Sequence, residues 1–265
     1  NLNYEIIVVS ACRPHLLEVT LRTMFEMVDD VPSRVIVHDD VVFTAKKDVM
    51  ASLVTSCIPN GIDFEFYQDD PPIKHGPSIY WALKQVKTRY FLFTQDDFEF
   101  LRSVPVHDAL MMLDRYNLNH IRFNKRDTLA FKNGWGKKEV VFDNGVKLTV
   151  SDHWHFQVGV GRMSVLLPIV EWWMQNQPQA FSDTIPPVAI NRSLNGQVPE
   201  IRESLSIAFP PSDSDPMSPD IREKYQKTFI WGGIGEKAYV RHIGDKIEDH
   251  AEERYRSGRP ITEIV

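Results

Sequence analysis

The chain has 265 residues, 43% of them hydrophobic, with a formal net charge of -6. That length and apolar content exclude global disorder and allow one large α/β domain. The net acidity excludes a general nucleic-acid coat but leaves room for a local basic groove.

Two cysteines, Cys12 and Cys57, do not make a disulfide framework, so a reducing, cytoplasmic setting is expected. No apolar stretch reaches the length of a membrane span, and Met163 to Val170 is short and interrupted. The chain enters a strand-like run at once, Tyr4 to Val9, which is not the pattern of a signal peptide.

Ile6 to Val9 is apolar throughout, as in a strand covered on both faces. Pro14 opens a helix to about Val28, with Leu16, Leu17, Val19, Met24 and Met27 on its apolar side. Val35 to His38 is a second strand, ending in Asp39-Asp40. Lys46 to Cys57 predicts a second helix, stopped by Pro59-Asn60-Gly61. Ile62 to Tyr67 alternates like a strand, and Pro77-Ser78 starts a third helix, with Ser78 as N-cap, running to about Val86. Tyr90 to Thr94 is the next strand. This βαβαβαβ order implies a mostly parallel, Rossmann-like sheet flanked by helices.

The second half is less regular. His120 to Phe123 predicts a strand, Lys137 to Val150 a hairpin about Asp143-Asn144-Gly145, and Ser164 to Asn176 a helix. Phe209 to Pro219 is a proline-rich loop suited to a lid.

Chemistry gathers where these strands end. Asp96-Asp97 follows Tyr90 to Thr94, and carboxyl ends of strands in an open α/β sheet form the ligand crevice. An acidic pair there faces solvent, a partner charge or a hard divalent cation, Mg2+ or Mn2+. A helix cap or turn is the plainer reading of the pair taken alone. Asp39-Asp40 ends another strand, as a hydrogen-bond acceptor for a ribose or base or as a solvated turn. Ser10 to Pro14 offers a hydroxyl and a guanidinium beside a helix N-terminus, and Lys74 to Ser78 adds a cation. Four loops on one sheet edge thus suit a nucleotide diphosphate and its metal.

In these segments the chain resembles the nucleotide-sugar glycosyltransferases of GT-A fold, family 2 type. The resemblance rests on the first strand with Ser10 to Pro14, the second strand ending at Asp39-Asp40, Gly76-Pro77-Ser78 with the helix after it, and Phe91 to Asp97, which is similar to the DXD motif in an x-Asp-Asp form. It covers residues 4–100 well and the rest loosely, with Gln95 standing where the motif has an acid. It implies a donor-binding half over residues 1–100 and an acceptor-binding half with a lid over residues 101–265, in one continuous domain.

By position, the resemblance gives Asp97 to the metal, Asp96 to the ribose or sugar, and Asp39 or Asp40 to the base, with Ser10, Arg13 and Lys74 lining the same pocket. It also implies inverting transfer from a UDP-sugar to a hydroxyl acceptor, a glycan, a glycolipid or a modified DNA base, with Mn2+ or Mg2+ as cofactor. Asp183, before Pro187 to Arg192, is the implied base; capping a helix is its other reading, and His153 and His155 are rivals. His242, late in the chain, is a metal or phosphate contact in the resemblance and a structural histidine otherwise. The basic stretch from His120 to Val150 is a solvated hairpin or a patch for an anionic acceptor, including DNA. Trp135, Trp154 and Trp231 are stacking candidates, more simply core. The rival classes are a nucleotidyltransferase, whose glycine-rich first loop this chain lacks, and a non-catalytic sugar or nucleotide binder.

Overall fold

A computed structural model describes residues 2–41, 44–125, 139–151, 154–182, 186–194, 198, 200–201, 228–232 and 236–244. The first half alternates strand and helix: β1 (Tyr4–Ser10), α1 (Pro14–Met27), β2 (Arg34–Asp40), a 3₁₀ helix (Thr44–Val49) running into α2 (Met50–Cys57), β3 (Asp63–Asp69), α3 (His75–Gln85) and β4 (Tyr90–Gln95). Then come β5 (Phe98–Phe100), α4 (Val106–Arg115), β6 (His120–Phe123), the hairpin β7 (Glu139–Val141) and β8 (Lys147–Ser151), β9 (Gly159–Arg162) and α5 (Met163–Asn176). The last elements are α6 (Pro178–Ser182), α7 (Pro186–Leu194), β10 (Thr228–Trp231) and β11 (Val240–His242).

Nine strands form one sheet in the order β3-β2-β1-β4-β9-β6-β10-β8-β7. Strands β3, β2, β1 and β4 run parallel, as do β6 and β10, while β9 and β8 run against their neighbours. The sheet is therefore mixed but mostly parallel in strand direction, as expected from the βα alternation.

Burial on both faces follows from the two-residue period of a strand. Along β1, Ile6 and Val8 enter one core with Leu17, Leu21 and Met24 of α1, Val54 of α2 and Leu110 of α4. Ile7 and Val9 enter the other with Ile79 and Leu83 of α3, Leu166 and Ile169 of α5 and Phe181 of α6. A strand apolar at every position is thus one that feeds two cores. β3, the sheet edge, is mostly exposed.

Two local expectations are corrected, and the central strand has no counterpart among the expected elements. Ser78 is not the N-cap of α3: the helix begins at His75, Lys74 precedes it at φ 76, and the Ser78 hydroxyl donates to the Lys74 carbonyl at 2.8 Å. Pro77 sits inside the first turn, where a missing N–H costs no intrahelical bond. The helix expected over Lys46 to Cys57 divides into the 3₁₀ segment and α2. β9, in the middle of the sheet, was not read as a strand. Its glycines are there because bulky side chains lie over it: a Cβ on Gly161 would stand 2.6 Å from Phe91 Cζ, and one on Gly159 2.8 Å from His120 Nε2.

Among the described residues no helix is long and apolar enough to cross a membrane.

Candidate functional site

β1, β2, β3 and β4 all end on the same sheet edge, and the polar residues at their ends meet there. Asp96 follows β4, with its N–H bonded to the Val9 carbonyl of β1 at 3.1 Å. Its carboxylate, 1% exposed, is closed by four donors. Oδ2 accepts from the Ser10 hydroxyl at 3.1 Å, Ala11 N–H at 3.0 Å and Arg13 Nε at 3.1 Å, and Oδ1 accepts from Arg13 Nη2. Burial raises its pKa against the Arg13 charge.

Asp97 is held differently. Its Oδ2 lies 3.1 Å from Arg13 Nη2 and 3.1 Å from His242 Nε2. Burial pushes this carboxyl up, but the His242 hydrogen bond and the Arg13 charge outweigh it and hold the pKa below the ordinary carboxylate value. His242 reaches the site because β11 pairs with β5, His242 opposite Phe98, in a separate two-stranded ribbon. The chain then passes directly over Asp97: Ile243 N–H donates to the Asp97 carbonyl at 2.8 Å, and a Cβ on Gly244 would stand 2.8 Å from both Asp97 Cβ and Oδ2.

The second acidic pair ties the neighbouring loops together. Asp39 accepts from Cys12 N–H at 2.7 Å and from Gln68 Nε2 at 2.7 Å, joining the ends of β1, β2 and β3. Asp40 accepts from Ile73 N–H at 2.6 Å and Lys74 N–H at 2.8 Å, which fixes the approach to α3. Its pKa is raised to about 6, burial outweighing those two N–H groups. Ser10, Arg13, Asp96, Asp97 and His242 therefore share one hydrogen-bonded network, with Asp39 anchored to the same β1 loop through the Cys12 N–H and Asp40 to the Lys74 N–H.

Two features of it escape sequence reading. Arg13 bonds the acidic pair itself, and Gln68 serves as the far clamp on Asp39. Only its position at the end of an alternating strand hints at Gln68. Cys12 is a buried thiol at φ 56, its N–H turned onto Asp39.

Asp183, His153, Trp135, Lys132, Lys137, Lys138 and the loop Phe209 to Pro219 lie outside the described residues. Phe181, two positions before Asp183, packs its backbone against Gly76 at the start of α3. Trp154 and Trp231 are buried, and His120 stacks on Trp154 with ring centroids 4.1 Å apart. His155 lies beside Phe156, whose carbonyl accepts from Gln95 Nε2 at 2.9 Å next to the acidic pair.

No family model and no curated protein sequence matches the chain. Solved structures do. TarS residues 1–349 from S. aureus is 14% identical with a TM-score of 0.53, over 94% of this chain and 62% of that one. The same protein in complex with UDP gives 0.52, and with UDP-GlcNAc 0.50. The chain thus spans less than two thirds of the TarS chains it matches. The inositol-1-phosphate CTP transferase of T. maritima reaches 0.49 at 10% identity, over 100% of this chain and 97% of that one. At these identities the likeness is one of fold, and it rests on TarS: the chain has the GT-A architecture, a large mostly parallel sheet flanked by helices.

Proposed function

We propose that the protein is a glycosyltransferase that moves a sugar from a nucleotide diphosphate donor to a hydroxyl acceptor. The observation that carries this reading is Asp97: a carboxylate at the carboxyl end of β4, 4% exposed, held on one oxygen by Arg13 and His242, with its other oxygen buried and without a hydrogen-bond partner among the described residues. Buried acceptors are rarely left unmade unless something else fills them.

The donor set suits a hard cation such as Mn2+ or Mg2+. Asp97 and His242 would hold it, and no cluster of three or more acidic, His or Cys ligands exists among the described residues to make a complete cage. That is the usual situation of cations completed by substrate phosphates and water. Bound there, the ion would supply neutralising charge to the departing diphosphate.

The chain's own residues account for the remaining roles. Asp96 positions Arg13 and the β1 loop, its carboxylate being filled by four donors. Asp39 and Asp40 hold together the loops that would surround the base and ribose. Asp183 is the proposed base: its carboxylate takes the acceptor hydroxyl proton as that oxygen bonds the anomeric carbon and the carbon–oxygen bond to phosphate breaks. In-line attack inverts the anomeric centre. Donor binding and turnover across nucleotide sugars of different base, with Mn2+ or Mg2+, tests the reading. Thermal stabilisation and release of nucleoside diphosphate by one of them is the expected result, and no response to any donor with either metal would refute it.

A further inference from the structure

The two acids that end β2 are closed off by the protein itself. Asp39 is 0% exposed and takes the Cys12 N–H on Oδ1 and Gln68 Nε2 on Oδ2, both at 2.7 Å. Asp40, 6% exposed, gives one oxygen to the Ile73 N–H and the other to the Lys74 N–H. Beside Asp39, on the edge strand β3, stands Gln68, which is only part-buried.

The Gln68 carboxamide has one workable orientation. Nε2 lies 2.7 Å from Asp39 Oδ2 and 3.3 Å from the Lys47 carbonyl of the 3₁₀ helix, and both of those atoms accept. Turning the amide over would set Oε1 against a carboxylate and a carbonyl. The Lys47 segment is itself pinned, its Nζ lying 2.9 Å from Asp70 Oδ2 just past β3. Nε2 therefore gives both hydrogens to the protein, and Oε1 is presented as an acceptor with no partner among the described residues.

Its place in the sheet suits a base. Val9 pairs with Gln95, Ser10 with Asp39 and Asp39 with Gln68, so the ends of β4, β1, β2 and β3 lie in a row. Strands stand about 4.8 Å apart, which puts Gln68 about 14 Å along the sheet edge from the end of β4. That is the order of length of an extended nucleoside diphosphate. With the diphosphate at Asp97, a donor lying along this row brings its base to Gln68.

Resting on the nucleotide-sugar reading, we propose that Gln68, rather than Asp39 or Asp40, is the specificity-determining residue for the nucleobase. Oε1 accepts an N–H of the base edge, such as uracil N3–H or guanine N1–H, while Asp39 and the Lys47 carbonyl hold the amide in that orientation. Asp39 then acts through Gln68 and is a positioning residue.

Isothermal calorimetry of the intact chain with Mn2+ and five probes, UDP, GDP, CDP, ADP and inorganic pyrophosphate, tests this role. Wild type is expected to discriminate among the four nucleoside diphosphates by about tenfold, the worth of one hydrogen bond made or left unmade. Gln68→Lys keeps an N–H donor for Asp39 but presents no acceptor. It is expected to bind the diphosphate that wild type prefers about tenfold more weakly, to lose the discrimination, and to keep pyrophosphate affinity within about twofold of wild type. Gln68→Met, which removes donor and acceptor together, is expected to do the same with a lower Tm. Discrimination below about twofold in wild type, undiminished discrimination in either folded variant, or an equal loss for pyrophosphate overturns the role of Gln68 and leaves the donor reading intact. No binding of any of the five probes overturns both.

Discussion

Gly76→Ala separates donor binding from transfer. On intrinsic helix propensity, alanine inside α3 should stabilise by about 0.5–1 kcal/mol. The packing runs the other way. A Cβ at position 76 would stand 2.7 Å from Phe181 Cδ1 and 2.9 Å from the Phe181 carbonyl carbon, with the carbonyl oxygen inside contact distance. Carbon atoms prefer roughly 3.5–4.0 Å, so α6 must retreat by ~1 Å. Overpacking of this kind costs about 1–3 kcal/mol, which exceeds the propensity gain.

The net loss should lower Tm by about 2–4 °C for each kcal/mol lost. The function-specific effect comes from where α6 leads: Phe181 is two residues before the proposed base. Misplacement by ~1 Å can cost on the order of 100-fold in turnover. Steady-state kinetics and donor titration should show turnover down by about tenfold to 100-fold, with donor affinity little changed. A Gly76→Ala protein with wild-type Tm and turnover would refute the reasoning about the α3–α6 contact.

Gly244→Ala should act on the donor side instead: its Cβ would collide with Asp97, push the Ile243 N–H off the Asp97 carbonyl and draw His242 away. Metal-dependent nucleotide binding should weaken by about tenfold or more in calorimetry, and unchanged binding would remove the β11 ribbon from the site. Asp183→Asn should preserve donor binding and stop transfer, and normal transfer would point to another base. Asp40, with its pKa raised from 3.8 to about 6, binds its proton more tightly in the folded chain than in the unfolded one. Its stabilising contribution is therefore complete below pH 3.8 and lost as pH rises through about 6, a change of about 3 kcal/mol. Denaturant unfolding from pH 4 to 7 should show that slope in wild type and not in Asp40→Asn, and equal slopes would contradict it.

Elements that obey local physics were readable. Fully buried parallel strands such as β1 and β4 announce themselves as apolar runs, and proline and glycine punctuate the helices between them. β9 was not, because its glycines answer to Phe91, Trp154 and His120, side chains distant in sequence. β5 and β11 were missed because three-residue strands carry too few residues to show a period. In the candidate site, residue types and strand ends brought Ser10, Arg13, the two acidic pairs and Lys74 to one edge in advance. Their pairing was beyond reach. Nothing local says that Arg13 takes the acids rather than solvent, or that Gln68 closes on Asp39, since both contacts join separate strands.

The most direct measurement of the central claim is metal-dependent donor binding and turnover by wild type and Asp97→Ala, side by side. Wild type should be stabilised by a nucleotide sugar with Mn2+ and release its nucleoside diphosphate, while Asp97→Ala should fold and show neither. Equal Mn2+-dependent binding and turnover in the two proteins would contradict the account.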